Sequence, residues 1–234
     1  MSRARLARRP AALAAEPDLT KAQKAAIVRA LRWGWQQVSR RWPQTVASGW
    51  EEEITTKLCD VLCEQDSAGR RLAPGLSQFE TVNRGAKTQG ANDRVEYQPD
   101  LTFRPIAAPG VRSRNRWGWF VECKIVDGGS SVRLYCQKGV QRFIDGLYAP
   151  RMPSAALLAY VRDDRSPYTS LKPMLENDYQ SKVVASSVVP EISIISRHDR
   201  TKLRPPCALI ELTHVWLPTP SADSTRGHQA HTRS

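Results

Sequence analysis

The segment WGWFVECKIV, residues 117–126, is dominated by β-branched and aromatic side chains and reads as a buried strand. Residues two apart on a strand share a face, so Glu122 and Lys124 point one way and Cys123 the other. Upstream, Pro99-Asp100 opens a second strand-like run, PDLTF, residues 99–103. Pairing of the two runs as a bent ribbon brings Asp100, Glu122 and Lys124 to one point. Two carboxylates beside one amine form a seat for a hard divalent cation and an activated water.

The triplet Glu122-Cys123-Lys124 carries little weight alone. With 23 acidic residues in 234 positions and nine lysines, chance supplies about one acid-x-Lys triplet. The surroundings carry the rest. A chain of this length has room for one domain with an adequate core. A hydrophobic content of 41% and an aromatic content of 7% fit a globular protein, and no apolar run approaches the ~18 residues of a membrane span. The net charge of +12 points to a polyanionic partner, nucleic acid ahead of a solubilising tail or a ribosomal-like partner surface. Ten Lys or Arg against two acids fall in residues 1–50, so a basic arm and helix precede a more neutral body. Five cysteines, an odd number, suggest a reduced, cytoplasmic protein. Cys59 and Cys63 are four apart, but no CxxC pair supports zinc, and free thiols are expected.

Residues 19–42 read as a helix capped by Asp18 or Thr20. Trp33, Trp35 and Trp42 stand among Arg32, Arg40 and Arg41 and suit either stacking on bases or packing onto a domain face. Pro43 and Ser48-Gly49 mark a break. A second helix, about 48–65, carries the stripe Ile54, Leu58, Val61, Leu62. Glu51 lies within about 20° of Leu58 on that wheel, which asks for a partner or a metal unless solvent reaches the first turn. A loop-rich stretch, 66–93, holds a short strand near 78–82 and offers Arg84, Lys87 and Arg94 to phosphate. The connector 104–116 is too long for a tight hairpin, so it is expected to protrude, presenting Arg112, Arg114 and Arg116 to a duplex backbone or simply to solvent. A helix over 132–148, stopped by Pro150, places Tyr135, Lys138 and Arg142 on one strip and carries Gly139 where backbones pack closely. Strands follow at 155–161, 187–197 and 207–217, with a helix near 171–179. His198 and His214 read as structural. Residues 219–234 read as a disordered tail.

Pro99-Asp100 followed by Glu122-Cys123-Lys124 resembles the signature of the PD-(D/E)xK nuclease superfamily, and the resemblance covers about residues 49–218. It implies a restriction-endonuclease-like α/β fold: an αβββαβ core with a mixed β-sheet flanked by helices, here behind a basic helical N-terminal extension. It implies a Mg²⁺ ion, with Mn²⁺ as a substitute, held by Asp100, Glu122 and the Cys123 carbonyl. Lys124 would orient the attacking water, and Glu51 would face the metal from the preceding helix. The string Tyr135-x-x-x-Gly139-x-x-Arg142-Phe143 is similar to a helix that turns a polar residue toward the scissile phosphate, with Lys138, Gln141 and Arg142 as candidates. The activity implied is a metal-dependent endodeoxyribonuclease, acting in restriction or phage defence, as a homodimer or beside a larger partner protein. Two other readings stay open: a catalytically inactive nuclease-fold subunit that binds DNA, and an assembly protein that docks a partner through its tryptophans and basic arm.

Overall fold

The computed structural model describes residues 14–85, 88–89, 95–129, 131–200 and 202–219. The basic arm over 1–13, Lys87, Arg94 and the tail beyond 219 lie outside the described residues. Seven strands form one mixed sheet in the order β1-β4-β5-β6-β9-β8-β7. They are β1 Asn83–Arg84, β4 Leu101–Phe103, β5 Trp119–Val126, β6 Ser154–Val161, β7 Lys182–Ala185, β8 Ser193–Asp199 and β9 Leu209–Pro218. The pairs β5–β6 and β6–β9 are parallel, and β1–β4, β4–β5, β8–β9 and β7–β8 are antiparallel. A separate two-stranded ribbon joins β2 Thr88–Gln89 to β3 Val95–Tyr97. Every residue of the central parallel strand β6 is shielded from solvent, as a strand covered on both faces requires.

Helices cover both faces. On one side, α1 Lys21–Arg41 begins at a capping box, with the Thr20 side chain accepting from the Gln23 amide and the Gln23 side chain returning to Thr20. Its buried stripe runs through Ala26, Ile27, Ala30, Leu31, Trp35 and Val38. Trp35 stacks on Tyr160 of β6 at 5.2 Å between ring centroids and donates its indole N–H to the Pro218 carbonyl. This settles the role of Trp35 as core packing, and it builds α1 into the same core as the sheet. A short helix, α2 Pro43–Ser48, fills the expected break, and α3 Glu51–Cys63 buries Ile54, Leu58, Val61 and Leu62 at the predicted spacing. Gly34 lets α1 approach α3, since a Cβ there would lie 2.8 Å from Leu58 Cδ1.

On the opposite face one helix runs through α4 Val132–Tyr135, a π turn Cys136–Val140 and α5 Gln141–Ile144. It stops at Ile144, short of the expected Tyr148, because Gly146 turns the chain at φ 69°. The later helix is a π turn Pro167–Leu171 continued by α6 Lys172–Asn177. The strand expected near 78–82 is instead a 3₁₀ turn at Leu76–Gln78 followed by the two-residue β1. All five cysteines are free thiols. Among the described residues no helix is long and apolar enough to cross a membrane.

Beneath the second helical layer runs a buried polar chain. Ser181 Oγ donates to the Tyr179 carbonyl (3.2 Å), so it must accept from His198 Nδ1 (2.8 Å). His198 Nε2 then accepts from Ser196 Oγ (2.6 Å), which accepts from His214 Nε2 (2.7 Å), and His214 Nδ1 accepts from the Tyr135 hydroxyl (2.9 Å). Every donor has an acceptor when both imidazoles are neutral. Burial lowers His198 to about 4 and holds His214 well below its usual range. Both histidines serve as buried links of this hydrogen-bonded chain.

Candidate active site

The site is assembled where β4 ends beside β5. Leu101 faces Val121 across the antiparallel pair, so the next step out sets Asp100 opposite Glu122. Beyond that step β4 no longer covers β5, and the amides of Cys123 and Ile125, which point away from β6, would be left without strand partners. Carboxylates take the place of the missing strand. Asp100 Oδ2 accepts from the Cys123 amide at 2.7 Å, and Glu51 Oε2 accepts from the Ile125 amide at 3.1 Å. Cys123 turns its thiol to the α1–α3 face, where it is fully buried, and Glu122 and Lys124 turn to the other.

Glu51 opens α3, and its backbone is held from behind. Thr55 Oγ1 donates to the Glu51 carbonyl (2.8 Å) and lies 3.0 Å from the Tyr160 hydroxyl. The approach to α3 is fixed by Arg162, which donates to the carbonyls of Val46 (2.8 Å) and Gly49 (2.5 Å). Trp50 occupies the N-cap without any side-chain capping bond and is 82% exposed.

Three oxygens converge on the Lys124 ammonium. Glu51 Oε1 lies at 2.8 Å, Glu122 Oε1 at 2.9 Å and the Cys123 carbonyl oxygen at 2.6 Å. Glu122 is 2% exposed at its side chain and receives a second cation, Arg142 Nη1 at 2.9 Å, which also reaches the Tyr148 hydroxyl at 2.7 Å. Burial and the nearby Asp100 push Glu122 up to about 7, against the pull of Lys124 and Arg142. Burial opposes the charge on Lys124, but Glu122, Glu51 and Asp100 outweigh it and hold the amine above its usual range. Burial and Glu122 together raise Tyr148 to about 12, so the phenol stays protonated. Gly139 seats the helix here: a Cβ would meet Leu157 Cδ2 at 2.6 Å and Lys124 Cγ at 3.9 Å.

An open cleft of about 480 Å³ adjoins these groups, lined by Glu51, Glu52, Arg84, Gly85, Gln98 and Asp100. Arg84 lies in it, paired to Glu52 at 2.9 Å. Arg142 sits at the site as a partner of Glu122, and Lys138 is exposed on the π turn. The connector arginines are elsewhere. Asp100 precedes β4 while the connector follows it, so the connector emerges at the far end of the ribbon, about 10–17 Å along β5 from Glu122 and Lys124. It does not protrude as expected. Arg112 gives its backbone amide to Glu16 (2.9 Å), and Trp117 donates to the Pro17 carbonyl (2.8 Å). Arg114 pairs with Glu80 and donates to the Pro105 carbonyl, and Arg116 closes the 3₁₀ turn Arg114–Arg116.

Among the described residues no cluster of three or more His, Cys, Asp or Glu side chains is gathered to hold a metal ion. Of the four oxygen donors expected, three meet around Lys124, and Asp100 faces the Cys123 amide. The donor set is nevertheless all oxygen, two carboxylates and a carbonyl with a third carboxylate adjacent, which is the chemistry Mg²⁺ accepts. Tyr148 was missed by sequence reasoning. It lies past the end of α5, where no helical spacing points to it. No protein-family model matches the chain, and no curated protein or solved structure matches it.

Proposed function

We propose that this chain is a Mg²⁺-dependent endonuclease with a restriction-endonuclease-like core, hydrolysing DNA phosphodiester bonds as the effector of a restriction or phage-defence system. The observation that carries the reading is the meeting of Glu51, Glu122, the Cys123 carbonyl and Lys124, with Asp100 in register opposite Glu122, beside an open cleft. The order α3, β1, β4, β5, helix, parallel β6 supports it, because it follows the αβββαβ sequence of elements.

Asp100, Glu122, Glu51 and the Cys123 carbonyl would hold the ion, which when bound supplies Lewis acidity to a phosphoryl oxygen. The chain's own groups do the remainder. The Lys124 ammonium, kept charged by its acidic neighbours, orients the attacking water and offsets negative charge growing on the phosphorane. Glu122, raised to about 7 by burial and Asp100 while no ion is present, would give up its proton as the ion is taken up. Arg142 fixes the Glu122 carboxylate and turns its exposed side toward phosphate. Arg84, which lines the cleft, would guide a strand into it, and Lys138, exposed on the π turn, would add positive charge from the helix.

A supercoiled plasmid incubated with the protein in Mg²⁺, against EDTA, tests the reading. Asp100→Asn and Lys124→Ala abolish nicking and leave DNA affinity within a few-fold; undiminished cutting by both variants refutes it. The rival, an inactive DNA-binding subunit, is favoured by one observation: Asp100 and Glu51 both satisfy β5 amides and so have a structural use. Binding that survives EDTA without any cut product selects that rival.

A further inference from the structure

The Lys124 ammonium is surrounded as a bound metal would be. Glu51 Oε1 from α3, and Glu122 Oε1 and the Cys123 carbonyl from the side chain and backbone of β5, all lie within 2.9 Å of Nζ. An ammonium with three donors satisfies such a set, and a hard divalent cation asks for the same oxygens. Both cannot occupy it, because like charges at contact distance inside a half-buried site repel strongly. We propose that Lys124 is the resident counter-ion of this oxygen cradle, and that a divalent cation enters by displacing its ammonium toward the cleft, so that metal occupancy and release of the lysine are one exchange.

This deepens the proposed function, resting on its assignment of these oxygens as the cation site, and it adds a sequence of events. The resting protein keeps Glu51 and Glu122 neutralised by its own side chain. Arg142 stays on Glu122 Oε1 at 2.9 Å and keeps the carboxylate in place while Lys124 leaves. Gly139 leaves that side of the Lys124 stem uncovered, since a Cβ at 139 would stand in van der Waals contact with its Cγ at 3.9 Å. The lysine becomes available to orient water when the ion has arrived, which couples catalytic competence to loading.

The test is binding, not activity. Mn²⁺ titrated calorimetrically into the full chain gives an affinity for wild type, for Lys124→Met and for Glu122→Gln. Removing the resident cation strengthens Mn²⁺ binding by on the order of tenfold or more, and Glu122→Gln abolishes it. A second readout avoids any folding defect of the Met variant. In wild-type protein, modification of Lys124 by an amine-acylating reagent, followed by peptide mass spectrometry, is slow in EDTA and faster at saturating Mn²⁺, with the other lysines as internal references. Equal or weaker binding by Lys124→Met, or Lys124 labelling that ignores bound Mn²⁺, overturns the exchange while leaving a metal site in place. No Mn²⁺ binding by either protein removes the metal from the proposed function and the exchange with it.

Discussion

Acid is expected to weaken this protein through the His198–Ser196–His214 chain. The folded state holds His198 at about 4, against 6.5 ordinarily. As pH falls below 6.5 the unfolded chain takes up a proton that the folded chain refuses until about 4, so stability is full above 6.5 and is lost across that window. The gap corresponds to about 3 kcal/mol, at about 1.4 kcal/mol per pH unit in mid-window. His214 adds to the loss in the same direction: a proton on His198 Nε2 would set two ring donors facing each other across Ser196, and one on His214 Nδ1 would face the Tyr135 hydroxyl that donates to it. Glu122 works against this: its folded value of about 7 lies above the ordinary 4.5, so its contribution is present below 4.5 and lost as pH rises to 7. The assay therefore needs a difference. Urea unfolding of wild type and His198→Gln between pH 7.5 and 4.5 isolates the histidine, and wild type loses about 3 kcal/mol relative to the variant on acidification. Parallel curves would show that His198 titrates normally and that the neutral chain is misassigned.

Urea unfolding of Glu122→Gln against wild type gives the opposite slope, with wild type losing about 3 kcal/mol relative to the variant from pH 4.5 to 7; a flat difference refutes the raised value. Gly139→Ala removes a poor helix former yet lowers stability by about 1–3 kcal/mol in thermal denaturation, because Leu157 is fully buried and cannot yield to the new Cβ; a stabilised variant would deny the close approach. Trp50→Ala leaves stability within about 0.5 kcal/mol and weakens single-stranded DNA binding, read by anisotropy, about tenfold. Unchanged affinity removes Trp50 from the nucleic-acid surface proposed for this chain.

Much of the site was legible because its parts obey simple periods. Glu122, Lys124 and Cys123 divide between faces by the period of two, and Glu51 declared itself by lying near an apolar helical stripe without a visible partner. The strand β7 was not legible: KVVA is four residues long and mostly exposed, an edge with no buried face to pattern it. Arg142 was read as a phosphate ligand, but its distance to Glu122 depends on how the helix crosses the sheet, which no local spacing encodes. The separation of the connector arginines from Glu122 was not legible either, because it is set by strand pairing and not by local spacing: the loop leaves the end of the ribbon opposite to Asp100.

Asp100 and Glu51 also act as the hem of the sheet. By occupying the Cys123 and Ile125 amides they deny a template to any foreign strand sliding along β5. Alanine at both positions would bare that border, so variants built to test the proposed chemistry would also invite self-association. Asparagine and glutamine keep an acceptor oxygen there, and variants built from them test the proposed catalysis apart from any loss of solubility.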